Sequence, residues 1–283
     1  MNPNFAFLIL CMGKFEASAK ISLTSMANLA SKSNCKIFVY ADNSGKEWLL
    51  ENISDSKILI FLEVDLDKIP LGIKPRFQSK QTFEYAKFGS DEMKSLTPLK
   101  WQALLDVFDF DSKLQVVVFS DLDVIWVQHP NFEINQLLKS NLLALLQDDT
   151  PRGSKGYFCT GIQIWKNFDQ SKEYINDLSK FHRKLHEDNF RYRDMLVGDE
   201  KAFNLFMAKR NTLSLFAPLN SSKYVIGHNV KFALIRLIKR TKPIAVHANY
   251  SSTEYSKFNK LNSFNQVFSK WKSRLIILLR SGN

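Results

Sequence analysis

Apolar and polar positions alternate along this chain in blocks that change period, and the change of period marks the elements. Phe5 to Cys11 is a continuous apolar run that leads into Gly13, and Ala19, Leu23, Met26 and Ala30 then recur at helical spacing within Glu16–Ser31. Ile37 to Tyr40 is the next apolar run, so the chain opens as strand, helix, strand. Ile58–Val64 predicts a third strand. The segment Asp65–Leu96 keeps no sustained period and reads as a long irregular region, the kind of segment that often carries function. Thr97 as N-cap and Pro98 at the first helical position predict a helix through Trp101, Leu104, Leu105 and Phe108. Gln115–Phe119 follows, apolar on both faces after Gln115, as in a central strand covered by helices on either side. Leu142–Leu146, Gly161–Trp165, Thr212–Phe216 and Ile244–Val246 are further strand candidates, and Gln170–Glu187 and Glu200–Lys209 predict helices. Strands alternating with helices point to an α/β fold, a single Rossmann-like domain with a mixed central sheet.

The 283 residues suffice for a sizeable core without disulfide or metal staples. Cys11, Cys35 and Cys159 are odd in number and widely spaced, which reads as free thiols in a reducing compartment. No basic segment precedes Phe5–Cys11, so that run is expected to be a buried strand and not a signal sequence, and the protein cytoplasmic. No repeat and no stretch long and apolar enough to span a bilayer is present. Lys and Arg number 39 against 28 Asp and Glu, a formal net charge of +11, which suggests an anionic partner. The excess gathers at Lys223, Lys231, Arg236, Lys239, Arg240 and Lys242, and again in a tail beyond residue 250. There Tyr255–Arg280 predicts a basic amphipathic helix, with Phe264, Val267, Phe268, Trp271, Leu275 and Leu279 on one side. That helix either packs on the domain or lies peripherally on the inner face of a membrane. No helix-turn-helix, zinc-finger or RNA-sheet pattern accompanies the basic residues, so nucleic acid is not an expected partner.

The chemistry concentrates where the central strand ends. Residues i and i+2 of a strand share a face, so Asp121 and Asp123 are expected to aim two carboxylates the same way, with Leu122 turned back to the core. In open α/β sheets ligands bind outside the carboxyl ends of the strands. Two carboxylates so close repel unless a proton or cation lies between them, and a divalent ion bridging to phosphate is one common answer. A strand-end Asp capping the next turn is the other reading of the same residues.

The surrounding segment decides between them. Val116-Val117-Val118-Phe119-Ser120-Asp121-Leu122-Asp123-Val124-Ile125-Trp126, with Pro130 four residues on, resembles the signature of the nucleotide-diphospho-sugar transferases, glycosyltransferases of the A-type fold. Other pieces resemble that family in the same order: Lys100, Cys159-Thr160-Gly161-Ile162-Gln163, Asp199-Glu200-Lys201-Ala202-Phe203-Asn204 and Val246-His247-Ala248-Asn249-Tyr250. They span roughly residues 5–250, which sets the expected domain at 1–250 and the tail at 251–283. Glu200 stands where the family usually has Gln, and Thr160 where it usually has Ser or Ala, and both departures bear on sugar specificity.

The resemblance implies a metal-dependent, retaining transfer of sugar from a nucleoside diphosphate donor, UDP before GDP, to a glycan or other acceptor. It implies Mn²⁺ or Mg²⁺ on Asp121, Asp123 and His247, and an imidazole ligand suits Mn²⁺ better. Base and ribose are expected over Cys11, Met12, Gly13, Ala41 and Asp42, with Asp42 accepting from one of them, and Gly13 either admits the ligand or simply turns the chain. Lys100 is assigned to phosphates or base, Ser120 and Gly161 to the nucleotide pocket, and Asp199 to the transferred sugar, a helix N-cap being its alternative. Asp148 and Asp149 either bind sugar hydroxyls or cap a turn.

Two other classes fit parts of the pattern. Haloacid dehalogenase-like phosphatases carry an Asp-x-Asp after an apolar strand, with the first Asp as nucleophile, but near the start of the domain and with Thr or Val where Ile125 stands. A non-enzymatic protein binding membrane or nucleic acid through its basic face is the third reading.

Overall fold

The computed structural model describes residues 3–12, 17–33, 35–53, 56–64, 91–149, 156–192, 197–226 and 243–247. In chain order these form β1 (Phe5–Cys11), α1 (Ala17–Ser33), β2 (Ile37–Ala41), α2 (Asn43–Asn52), β3 (Leu59–Glu63), α3 (Asp91–Leu96), α4 (Leu99–Phe110), β4 (Val116–Ser120), β5 (Val124–Trp126), α5 (Asn131–Leu138), β6 (Ala144–Asp148), β7 (Phe158–Lys166), α6 (Asp169–Tyr192), α7 (Asp199–Arg210), β8 (Phe216–Leu219), β9 (Tyr224–Ile226) and β10 (Ala245–His247). Gly13, most of the irregular region, the basic residues from Lys231 to Lys242 and the whole tail lie outside the described residues. Among the described residues no helix is long and apolar enough to cross a membrane.

Seven strands form one sheet in the order β3-β2-β1-β4-β7-β6-β8, and β5, β10 and β9 form a small second sheet. β3, β2, β1 and β4 are mutually parallel, β7 runs against both β4 and β6, and β6 pairs parallel with β8. The alternation of side chains along each strand divides the core in two. Ala6, Leu8, Val117 and Phe119 face a cluster with Trp101, Leu104 and Phe108 of α4, Ile175 and Leu178 of α6 and Phe203 of α7. Phe7, Ile9, Val116 and Val118 face the other, with Leu23 and Met26 of α1, Leu49 of α2 and Ile134 of α5. Both faces of β1 and β4 are therefore dry, which explains their unbroken apolar sequence.

Several elements depart from expectation. Thr97 does not cap α4: its hydroxyl donates back to the Lys94 carbonyl and closes α3, leaving Pro98 at the N-cap of α4 without a side-chain bond. Asp91–Leu96 is thus helix and not part of an irregular region. Leu213–Leu215 is a 3-10 turn and the strand begins at Phe216, while β6 lies two residues further on than expected. The strands β5 and β9 and the helices α2 and α5 carry no expectation at all. Asp121 and Asp123 lie beyond the end of β4, in the turn to β5, so a turn and not the two-residue period of a strand brings them together.

Candidate active site

The site is built where β4 ends and the small sheet begins. Ser120, fully buried, accepts a hydrogen bond from the Trp126 indole at 2.9 Å and donates to the Asp121 carbonyl at 3.1 Å. The Asp121 amide donates to the Gly161 carbonyl of β7 at 2.8 Å. These bonds pin both ends of the Asp121–Asp123 turn. β10 pairs antiparallel with β5 so that His247 lies opposite Val124, immediately after Asp123. His247 thus arrives from the far end of the chain beside the acidic pair.

One oxygen of Asp121, one of Asp123 and one nitrogen of His247 all lie within 4.8 Å of one another. His247 Nε2 is 3.1 Å from Asp123 Oδ1 and 4.0 Å from Asp121 Oδ2. On its other side His247 Nδ1 is 2.8 Å from Gln147 Oε1, so Nδ1 carries the proton and Nε2 turns a lone pair toward the carboxylates. Three acceptors that converge this way call for a second proton on the imidazole or a cation among them. A divalent ion fits the donor set, two hard carboxylate oxygens and an imidazole held by a second-shell amide. Burial pushes Asp121 above its ordinary carboxylate range, with Asp123 and Asp199 adding to the rise and Lys100 opposing it. Negative charge is in excess here, which a cation relieves.

Gln147 reaches His247 because the pairing of β6 with β7 shifts register between Leu146 and Gln147, setting Gln147 beside Cys159. Gly161 makes room for the ring: a β-carbon there would lie 2.1 Å from His247 Cε1. Gly161→Ala is therefore expected to displace His247 and weaken Mn²⁺ binding by about 10- to 100-fold. Titration of the ion into the protein, followed by paramagnetic resonance, checks this, and unchanged affinity would show that the ring does not bear on the ion.

Behind the acidic pair sits a buried cation. Lys100, 4% exposed, donates to Asp121 Oδ1 at 3.1 Å, to the Thr160 carbonyl at 3.2 Å and to Asp199 Oδ2 at 2.5 Å, and packs over Phe119. Its three protons thus meet three acceptors. Burial alone would lower its pKa, but Asp121 and Asp199 outweigh burial and hold it above the ordinary lysine value, fully charged. Asp199 is the first residue of α7 and not its N-cap, which is Gly198. Burial would raise its carboxyl, yet Lys100 and the Thr160 hydroxyl hold it below the usual carboxylate range. Both bonds fall on Oδ2, leaving Oδ1 outside them.

Of the residues expected around base and ribose, Cys11, Met12, Ala41 and Asp42 lie at the same edge of the sheet, since β1 and β2 run parallel to β4. Asp42 caps α2, its Oδ1 accepting from the Gly45 amide at 2.8 Å. Cys11 is buried with its thiol 3.7 Å from the Gly45 carbonyl, Met12 is buried in the core, and Ala41 packs against the opposite cluster. Asp148 ends β6 and Asp149 is fully buried just beyond it, its amide donating to the Tyr157 carbonyl. Gln147 is a site residue that no motif names, and Thr160, marked only as a departure from the family pattern, bonds Asp199 through its hydroxyl. A buried amide directly after the apolar run Leu142–Leu146 is the feature that marks Gln147.

By sequence, none of the curated proteins matches this chain. The fold is shared with the galactosyltransferase LgtC in complex with donor and acceptor sugar analogs, at 12% identity and a TM-score of 0.57, covering 94% of this chain and 95% of that one. It is shared with a glycosyltransferase involved in glycosylating the major capsid of PBCV-1, at 12% identity, a TM-score of 0.55 and coverage of 91% and 99%. Mouse xyloside xylosyltransferase 1 in its apo form superposes over 88% of this chain and 99% of its own, at 12% identity and a TM-score of 0.51. The sequence profile of the nucleotide-diphospho-sugar transferases matches residues 69–262, which takes in the acidic turn, Lys100, Gly161, Asp199 and His247. With that match over more than half its length, on an A-type glycosyltransferase fold, the chain belongs to the nucleotide-diphospho-sugar transferase family.

Proposed function

We propose that this glycosyltransferase takes its sugar from a UDP-sugar donor in a reaction that requires a divalent cation, Mn²⁺ ahead of Mg²⁺, and that it retains configuration at the anomeric carbon. The observation that carries the proposal is the convergence of Asp121, Asp123 and His247 at the carboxyl edge of the sheet. These three residues would hold the ion, with Gln147 fixing the imidazole. Bound there, the ion would neutralise charge on the departing diphosphate. In the transfer, the bond from the anomeric carbon to the diphosphate oxygen breaks and its electron pair leaves with the nucleoside diphosphate. The acceptor hydroxyl oxygen forms the new bond to the anomeric carbon, and its proton passes to the departing diphosphate oxygen.

The chain's own residues supply the rest. Asp199 is anchored through Oδ2, and Oδ1 would face the sugar, where its negative charge favours the cationic character that develops at the anomeric carbon. Lys100 holds Asp199 and Asp121 in place, keeps Asp199 ionised and favours the ionised form of Asp121. Cys11, Met12, Gly13, Ala41 and Asp42 would line the base and ribose end, and the acceptor would approach from the irregular region after residue 64. The three buried thiols suit a reducing, cytoplasmic setting, with residues 255–283 offering peripheral membrane contact. Family membership sets aside the phosphatase and the purely binding readings.

A panel of nucleotide sugars assayed for nucleoside diphosphate release, with and without Mn²⁺, tests the proposal. UDP release from one donor that chelation abolishes and Mn²⁺ restores is expected. Release that persists through chelation would end the cation's role.

A further inference from the structure

Behind the candidate site, α4, α6 and α7 meet at two histidines that belong to none of the family motifs. His182 and His186 stand one turn apart on α6, both buried (0% and 1% exposed), with their rings edge to face. His182 Nε2 lies 2.8 Å and His186 Nε2 2.7 Å from the same atom, the carbonyl oxygen of Val197. A carbonyl only accepts, so both nitrogens carry protons and the two lone-pair directions of one oxygen are both used. His182 Nδ1 in turn accepts from the Trp101 indole at 2.9 Å. Burial, then the neighbouring His186, takes the pKa of His182 down to about 3, so the ring stays neutral and the bonding pattern is single-valued near neutral pH.

What these bonds join is specific. Val197 lies two residues before Asp199, and Trp101 directly follows Lys100. The clasp therefore links the backbone that leads to Asp199 with the helix that carries Lys100, and Lys100 and Asp199 are themselves hydrogen-bonded. Trp101 also stacks on Phe203, one turn into α7, so the same indole braces both sides. The N-cap of α7 is Gly198, which makes no side-chain bond, so the start of the helix needs some other restraint.

We propose that His182 and His186 are positioning residues for Asp199, fixing through the Val197 carbonyl the place its carboxylate takes beside Lys100. The inference rests on the reading of Asp199 as the residue that faces the transferred sugar. A positioning role predicts a loss in turnover with binding of ion and nucleotide intact, because the turn that carries Asp121 and Asp123 is pinned through Ser120 and Gly161 and His247 is set by β10 and Gln147.

The experiment uses the full chain and four variants, His182→Leu, His182→Gln, the double variant His182→Leu with His186→Leu, and Asp199→Asn. Melting temperature, Mn²⁺ affinity, UDP affinity, kcat and donor KM are measured for each. Mn²⁺ and UDP affinities and KM are expected within about twofold of the parent for the histidine variants, while kcat falls about 10- to 100-fold, the scale set by a small misplacement of a reacting group. His182→Gln, whose amide can still donate to the Val197 carbonyl, recovers most of the loss relative to His182→Leu. Parental kcat in the double variant, at a temperature where it is folded, overturns the proposal, as does a Gln variant no better than Leu. Should the double variant not fold, the comparison of His182→Gln with His182→Leu decides on the same readouts. Parental turnover in Asp199→Asn would remove the reading of Asp199 and the inference with it. A slow Asp199→Asn beside fast histidine variants would remove the inference alone.

Discussion

Replacing Asp123 by Asn is expected to slow Mn²⁺-dependent release of nucleoside diphosphate by about 100- to 1000-fold, equivalent to about 2.7–4 kcal/mol of transition-state stabilisation. Asn keeps the size of the side chain and offers an oxygen, but not the charge. Asp123 is 9% exposed, in a turn pinned through Ser120 and Gly161, and its Oδ1 is 3.1 Å from His247 Nε2. The backbone and Ser120 bonds that pin the turn remain, and removing one of three crowded acids relieves repulsion. Circular dichroism and melting temperature should therefore stay near the parent's. Equal turnover in the variant would mean that this carboxylate holds nothing the reaction needs.

The second large effect concerns stability. Lys100→Met should cost about 3 kcal/mol, the low end of the range for stripping one partner from a buried ion pair, since the Asp121 side chain is 36% exposed and water can partly compensate it. In a chain of this length that lowers the melting temperature by roughly 6–10 °C. Asp199 sets the sign of the pH dependence: Lys100 holds its carboxyl below the unfolded value, so the stabilisation is present above the ordinary carboxylate range and is lost as pH falls through the depressed value. The gap between parent and variant should accordingly narrow in acid. Lys100→Arg should not rescue, because a planar guanidinium cannot place its donors on Asp121, Asp199 and the Thr160 carbonyl together. Matched urea melts at neutral and acid pH measure both statements, and identical melts would show the ion pairs to be energetically idle.

How much of this was legible beforehand follows from the physics of each element. Long strands with both faces dry, β1 and β4, announce themselves as unbroken apolar runs, and α6 was visible from its extended helical segment. The three-residue strands β5 and β9 are too short to show a period, and the pairing of β5 with β10 depends on contacts more than a hundred residues apart. For the acidic pair the sequence pattern points to the right residues by a different geometry: the carboxylates converge because a turn folds back at the strand's end, not because a strand places alternate residues on one face. Lys100 could have been read as buried from its own helix. It shares a stripe with Leu104, Val107 and Phe108, and a lysine on an apolar stripe must find acceptors. The partners it found, Asp121 and Asp199, lie 21 and 99 residues away, and no local pattern encodes such distances. Gly161 illustrates the opposite case: the motif marked the glycine, but only the structure gives its cause, the imidazole of His247 seated where a β-carbon would be.

The proposed transfer depends on one ion held by Asp121, Asp123 and His247. Crystals of the full chain grown with Mn²⁺ and UDP, measured at the manganese absorption edge, test that directly. An anomalous peak is expected beside the side chains of Asp121, Asp123 and His247. A peak elsewhere, or nucleotide bound with no peak at those three side chains, would contradict it.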